Sequence, residues 1–151
     1  MKTLPHNFPD RRVTVIGLGY VGLTLAVAMA DSGFEVMGVE VRQEVLDLLA
    51  KGEPHFHEPR LREKLGRVVG KGAFRFSKEP DATFGSNIYV ITVGTPLDKD
   101  GKIQLRFIEQ ASKQVARVLK DGDLVILRST VKLGTARDVV GKTLQATGRA
   151  F

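Results

Sequence analysis

Residues 13–32 read VTVIGLGYVGLTLAVAMADS, a short β-branched strand that breaks into three glycines and continues as an apolar helix. Gly17, Gly19 and Gly22 have the spacing G-x-G-x-x-G at this junction. Gly17 permits a tight turn, Gly19 lets the backbone approach a ligand, and Gly22 lets the helix pack closely on the strand. The free N–H groups of the first helical turn then face an anion. This stretch therefore predicts a turn that holds the pyrophosphate of a dinucleotide.

An acidic residue at the end of the second apolar strand supports this prediction. Glu40 closes the run at residues 35–40 and lies 23 residues beyond Gly17, the difference of their residue numbers. A carboxylate there accepts hydrogen bonds from both hydroxyls of the adenosine ribose and repels a 2′-phosphate, so NAD is favoured over NADP. Arg42 leaves alternatives open: it can stack on adenine, pair with a 2′-phosphate, or be a solvated residue that opens a helix.

The composition is that of one globular domain. The 151 residues are 42% hydrophobic and 26% charged, which is enough to build a full core. No apolar stretch approaches the ~20 residues of a membrane span, and the polar N-terminal residues 5–10 do not form a signal segment. We therefore expect a cytoplasmic protein with no membrane partner. The absence of cysteine excludes disulfides, thiolate metal sites and a cysteine nucleophile within this chain.

The formal net charge of +6 raises the question of a nucleic-acid partner. Much of the excess positive charge falls in one presumed helix and the loop around it, without interleaved aromatic residues: Arg60, Arg62, Lys64, Arg67, Lys71 and Lys78. A solvated helical face accounts for this pattern, so no nucleic-acid partner is expected. A metal site at His55, His57 and Glu58 is also not expected, because their spacing and number do not suit zinc.

Strands and helices alternate along the chain. We predict helices at residues 23–32, around residues 45–50, at 105–119 and at 135–146, with a short basic helix between the second of these and the next strand. Further strands are predicted at residues 73–76, 87–93 and 124–127. This order predicts an α/β fold, a Rossmann-like, doubly wound and mostly parallel sheet. Ligands bind such sheets outside the carboxyl ends of the strands.

The tails of the fourth and fifth strands therefore form part of the candidate site. The first reads Val93-Gly94-Thr95-Pro96, and the second contains Ser129 and Thr130. Each tail offers hydroxyl groups near a glycine, on the edge where the cofactor is expected. Taken separately these are ordinary strand-to-helix turns, in which Ser129 or Thr130 can cap a helix.

Together the motifs resemble the UDP-glucose/GDP-mannose dehydrogenase family in its N-terminal NAD-binding domain, over nearly all of residues 1–151. The matching segments are Gly17 to Gly22 with G-x-G-Y-V-G, Glu58 to Leu61 with E-P-G-L, Val93 to Pro96 with V-G-T-P, and Ser129 to Thr135 with S-T-V-P-x-G-T. The resemblance implies NAD-dependent oxidation of the C6 hydroxyl of a nucleotide sugar to a carboxylate. It also implies that this oxidation passes in two steps through a thiohemiacetal on a catalytic cysteine. UDP-glucose is the first substrate to consider, with UDP-N-acetylmannosamine or GDP-mannose as the alternatives.

The resemblance also implies roles for matched residues. Gly17, Gly19, Tyr20, Val21 and Gly22 would hold the pyrophosphate, and Glu40 would replace an aspartate on the ribose. Thr95 and Pro96 would line the nicotinamide side, together with Val93, Gly94 and Ser129. Thr130 would be the catalytic threonine that positions water. Three residues depart from the family pattern: Lys132 stands where proline is typical, Arg60 where glycine is, and Glu44 where a basic residue is common.

The chain lacks several features that the resemblance implies: a long central helix, a catalytic cysteine and a nucleotide-sugar domain. We therefore expect the chain to bind NAD but to be inactive alone, because oxidation to the acid needs a nucleophile that holds the aldehyde. A homodimer is expected for the full-length enzyme. The alternative of another class is a freestanding NAD(H)-binding sensor or interaction module without catalysis.

Overall fold

A computed structural model describes residues 11–148; the N-terminal residues on which the signal-segment prediction depends lie outside this range. The strands are β1 Arg12–Ile16, β2 Glu35–Val39, β3 Phe74–Ser77, β4 Ile88–Ile91 and β5 Leu124–Leu127. The α-helices are α1 Tyr20–Asp31, α2 Gln43–Ala50, α3 Leu61–Gly70, α4 Arg106–Val118 and α5 Lys142–Gln145. A 3₁₀ turn spans Ala82–Phe84, and a π-helix at Ala136–Gly141 leads directly into α5.

The strands form a single sheet with the order β3-β2-β1-β4-β5, and every pairing is parallel. Val15 of β1 lies beside Gly38 on one side and Val90 on the other. Because the strands are parallel, their carboxyl ends meet at one edge of the sheet. The order reverses direction between β1 and β4, which is where a doubly wound sheet forms its ligand crevice. The predicted fold class is confirmed.

Apolar side chains cover both faces of the central strands, whereas Leu124 and Ile126 of the edge strand β5 are exposed. On one face, Val13, Val15 and Val36 pack in a buried cluster with residues of α1, α2 and α3. On the other face, Ile16 and Ile91 belong to a second cluster with residues of α4 and α5. A parallel sheet buried on both faces needs continuous apolar strands, which is what the sequence of β1 and β4 provides.

Most element boundaries agree with the prediction to within a few residues. The first helix begins at Tyr20 rather than at residue 23, so its first turn follows the glycine motif directly. Gly33, just beyond that helix, has φ +103, as expected of a C-terminal glycine. The strand predicted at residues 87–93 is shorter, ending at Ile91. The predicted helix at 135–146 is present, but half of it, Ala136–Gly141, has π-helical hydrogen bonding.

Arg60 explains why glycine is the usual residue in the matching E-P-G-L segment. It precedes α3 and has φ 64 and ψ 0, which makes it the single non-glycine residue with positive φ within residues 11–148. A side chain in the left-handed region costs roughly 1–2 kcal/mol. The Arg60 side chain is exposed, so its removal leaves no cavity in the core.

We therefore expect Arg60→Gly to stabilise the domain. Relief of the left-handed strain outweighs the extra entropy of glycine in the unfolded chain, for a net gain of about 0.5–1 kcal/mol. Urea denaturation followed by circular dichroism measures this difference. The matched control is Arg62→Gly inside α3, which should cost about 1–2 kcal/mol because glycine weakens a helix and the exposed ion pair with Glu53 is lost. Equal destabilisation by the two substitutions would contradict this explanation of the glycine.

Within residues 11–148, no helix combines the length and apolar character that a transmembrane segment requires.

Candidate dinucleotide-binding site

The glycine turn between β1 and α1 is the centre of the site. Gly17 has φ +90, and its N–H donates to the carbonyl of Val39 at 2.8 Å, which ties the turn to the end of β2. A methyl group on Gly17 would lie 3.1 Å from backbone and side-chain atoms of Val93. The turn is thus fixed between the carboxyl ends of β2 and β4.

Gly19 and Gly22 differ in what surrounds them. A methyl group on Gly22 would lie 1.9 Å from the carbonyl oxygen of Gly17, so α1 can approach the turn only without a side chain there. A methyl group on Gly19 would meet no heavy atom within 4 Å among the described residues. Gly19 therefore faces open space at the N-terminal end of α1, where the first N–H groups of a helix lack intrahelical partners. This arrangement leaves room for an anion at the backbone.

Thr92 contacts this turn, a role that the sequence did not reveal. Its hydroxyl lies 2.7 Å from the carbonyl oxygen of Gly17 and 3.0 Å from that of Ile16, and its side chain is buried. Thr92 immediately follows the apolar strand β4, so it fixes the glycine turn against this strand. The sequence held a usable signal, because a polar residue in a run that is buried on both faces must find a hydrogen-bond partner.

Glu40 lies directly beside the turn. It is 6% exposed, and the N–H of Leu18 interacts with its carboxylate. Arg42 donates to it three times: its backbone N–H and Nε to Oε1, and its Nη2 to Oε2, each at 3.1 Å. Burial opposes ionisation, but the interactions with Arg42 and Leu18 outweigh burial and lower the pKa of Glu40. The carboxylate is therefore ionised and aimed at the glycine turn.

Tyr20 joins the glycine motif to the loop before α3. Its ring is exposed, its hydroxyl donates to Glu58 Oε2 at 2.5 Å, and its ring centroid lies 5.0 Å from that of Phe56. The hydrogen bond to Glu58 raises the pKa of Tyr20. Val21, the next residue, is also exposed at the start of α1. Two segments that are far apart in sequence are thus held together at one side of the candidate site.

His55, in the same loop, is a further residue that the sequence analysis did not connect with this site. Its Nδ1 is buried and has no hydrogen-bond partner among the described residues. Burial, followed by the positive charge of Arg42, lowers the pKa of His55, against an opposite effect of Glu40. His55 is therefore neutral at pH 7, and the charges of Arg42 and Glu40 both act on it.

Residues 11–148 contain no group of His, Cys, Asp and Glu that could hold a metal ion.

The tails of β4 and β5 are joined by hydroxyl groups. Ser129 Oγ donates to the carbonyl of Val93 at 2.7 Å, and Thr95 Oγ1 donates to the carbonyl of Thr130 at 2.9 Å. The Thr130 side chain is exposed at this edge. Gly94 faces open space among the described residues, and the carbonyl of Pro96 accepts from the N–H of Gln104 at 2.9 Å. The structure thus brings the two predicted tails together on the same edge as the glycine turn.

The fold and this edge define a dinucleotide-binding Rossmann domain. The family model of the UDP-glucose/GDP-mannose dehydrogenase family, NAD binding domain, matches residues 11–150. The chain therefore belongs to this family, and the predictions of the family and of NAD as the cofactor are confirmed.

Relatives and solved structures agree with this assignment. The chain is 36% identical over 137 residues to the UDP-N-acetyl-D-mannosamine dehydrogenase of Pyrococcus horikoshii, a match that covers 91% of this chain and 32% of the relative. It is similar to the UDP-N-acetyl-mannosamine dehydrogenase Cap5O from Staphylococcus aureus, with a TM-score of 0.87 and 30% identity over 93% of this chain and 34% of that one. It is also similar to a UDP-glucose dehydrogenase from Pyrobaculum islandicum, with a TM-score of 0.85 and 33% identity. This match covers 95% of this chain and 34% of that one. The chain thus spans about a third of the length of these proteins.

Proposed function

We propose that this chain is the cofactor-binding part of an NAD-dependent nucleotide-sugar 6-dehydrogenase whose substrate is UDP-N-acetylmannosamine. The observation that carries the proposal is the buried, ionised carboxylate of Glu40 beside an open glycine turn. The names of the relatives from Pyrococcus horikoshii and Staphylococcus aureus support UDP-N-acetylmannosamine ahead of UDP-glucose, the sugar that the sequence resemblance put first. The sugar itself is part of the proposal, because these relatives extend far beyond the matched domain.

The glycine turn and Glu40 would hold the adenosine diphosphate part of the cofactor. The pyrophosphate would lie over Gly19, where the backbone faces open space, and accept from N–H groups at the start of α1 near Tyr20 and Val21. Gly17 and Gly22 would act by keeping the turn tight. Glu40 would accept hydrogen bonds from the adenosine ribose. The fit is supported by the space at Gly19 and the lowered pKa of Glu40.

The tails of β4 and β5 would hold the nicotinamide side. NAD supplies a hydride acceptor when it is bound. Ser129 and Thr95 donate hydrogen bonds from their hydroxyl groups to backbone carbonyls. Their proposed role is therefore to position the loops that carry Val93, Gly94 and Pro96. The exposed hydroxyl of Thr130 is the one proposed to orient a water molecule, because a hydroxyl can both donate and accept a hydrogen bond.

The sequence of 151 residues contains no cysteine, so a thiol that holds the aldehyde is not among them. We propose that the chain alone binds NAD and that the oxidation needs residues of a longer protein. A comparison of NADH formation by the chain and by the full-length protein tests both parts of this proposal.

The substrate is tested by measuring NADH formation with UDP-N-acetylmannosamine, UDP-glucose and GDP-mannose. We expect the full-length protein to show a kcat/KM for UDP-N-acetylmannosamine that is higher by about tenfold or more, the discrimination that a few polar contacts provide. The 151-residue chain should form no NADH with any of the three. A preference for UDP-glucose, or turnover by the chain alone, would contradict the proposal.

A further inference from the structure

The carboxylate of Glu40 is already saturated with hydrogen bonds. Arg42 supplies three donors, two to Oε1 and one to Oε2, and the N–H of Leu18 adds a weaker interaction. An ionised carboxylate has about four acceptor positions. Little capacity is left for the two hydroxyls of a ribose while Arg42 remains in place. A ribose and the Arg42 side chain therefore compete for the same oxygens.

The geometry of Arg42 allows this competition to be resolved. Its side chain is 48% exposed, against 7% for that of Glu40, so the guanidinium can leave for solvent while the carboxylate stays. The backbone N–H of Arg42 immediately precedes α2 and can keep its bond to Oε1. Departure of Nε and Nη2 would then free one position on each oxygen. Two freed acceptors match the two hydroxyls of a ribose.

The pair also changes the charge that a cofactor meets. A lone carboxylate repels a 2′-phosphate, and this repulsion is the usual basis for selecting NAD. Here the guanidinium cancels that charge at contact distance. Once displaced, its planar set of donors suits a phosphate. A site with Glu40 and Arg42 should therefore discriminate less sharply between NAD and NADP than a site with an unpaired acid.

We propose that Arg42 is a specificity-determining residue, which occupies the ribose acceptors of Glu40, weakens NAD binding and admits NADP. This inference rests on the proposed function, because it takes Glu40 as the ribose acceptor. It adds to that function that Arg42 sets the ratio of the affinities for NAD and NADP. In this chain, NAD is preferred by a narrower margin than the acid alone would give.

The test is titration of the chain with NADH and with NADPH, followed by the fluorescence of the reduced nicotinamide. In Arg42→Ala we expect NADH to bind about threefold to tenfold more tightly, because the competing ion pair is gone. NADPH should bind about tenfold more weakly, because an unpaired carboxylate then faces the phosphate. Thermal melting checks that the variants fold, which the exposed position of Arg42 favours.

Two controls separate competition from charge. Arg42→Lys keeps the positive charge but lacks the planar guanidinium that contacts both oxygens of Glu40. NADH should therefore bind more tightly, while the affinity for NADPH is retained. In a Glu40→Ala background, Arg42→Ala should no longer tighten NADH. Weaker NADH binding in Arg42→Ala, or an unchanged ratio of the two affinities, would overturn this inference alone. Failure of the unaltered chain to bind either cofactor would overturn the proposed function as well.

Discussion

Gly22→Ala is expected to destabilise the domain by about 3 kcal/mol and to abolish measurable NAD binding. The added methyl group would lie 1.9 Å from the carbonyl oxygen of Gly17 and 2.6 Å from the hydroxyl of Thr92. The first of these atoms belongs to the backbone of the glycine turn, so the turn or the start of α1 must move. The free energy of unfolding from urea denaturation and the affinity from NADH titration measure the two effects.

Two other glycines provide matched controls for this substitution. Gly66→Ala in α3 places a methyl group where no described heavy atom lies within 4 Å, so it should stabilise the helix by about 0.5–1 kcal/mol. Gly19→Ala places its methyl group more than 4 Å from every heavy atom of residues 11–148 outside residue 19 and its two chain neighbours, so it should leave stability unchanged and weaken NAD binding, because the methyl group occupies the space proposed for the pyrophosphate. Wild-type stability in Gly22→Ala would show that close packing of α1 on the turn is not required.

Glu40→Ala is expected to weaken NAD binding by about tenfold to a hundredfold, since hydrogen bonds to a charged group contribute about 1.5–3 kcal/mol. Calorimetric titration with NAD measures the change. Glu40→Gln keeps the shape of the side chain but not its charge, and should give an intermediate loss. The control is Glu35→Ala at the opposite end of β2, where an exposed carboxylate pairs with Arg12 and should have no effect on binding. Equal losses in Glu35→Ala and Glu40→Ala would show that the effect is not specific to the ribose position.

Sequence reasoning predicted the parts of the fold that depend on local patterns. These parts include the apolar strands β1 and β4 and the glycine motif before α1. Their apolar patterns and turn residues predict an alternation of strands and helices. It also placed Glu40 and the tails at Val93 and Ser129 on one edge, because parallel strands share the direction of their carboxyl ends. The ligand roles of these residues stay predictions until binding is measured.

Other features could not be predicted, because local sequence patterns do not determine them. The pairing of Arg42 with Glu40 joins residues two positions apart, but it is one of several rotameric choices for a long, half-exposed side chain, and the sequence does not select among them. The bond from Tyr20 to Glu58 joins residues 38 positions apart. The left-handed backbone of Arg60 follows from the path of the loop into α3, since arginine itself does not favour it.

The proposed site needs two contacts at once: the glycine turn with a pyrophosphate, and Glu40 with the adenosine ribose. A crystal structure of the chain with NAD bound shows both contacts. We expect the pyrophosphate over Gly19 and both ribose hydroxyls within about 3.2 Å of the Glu40 carboxylate, the limit for a hydrogen bond. A ribose bound away from Glu40, or a pyrophosphate away from the start of α1, would show that NAD binds in another way.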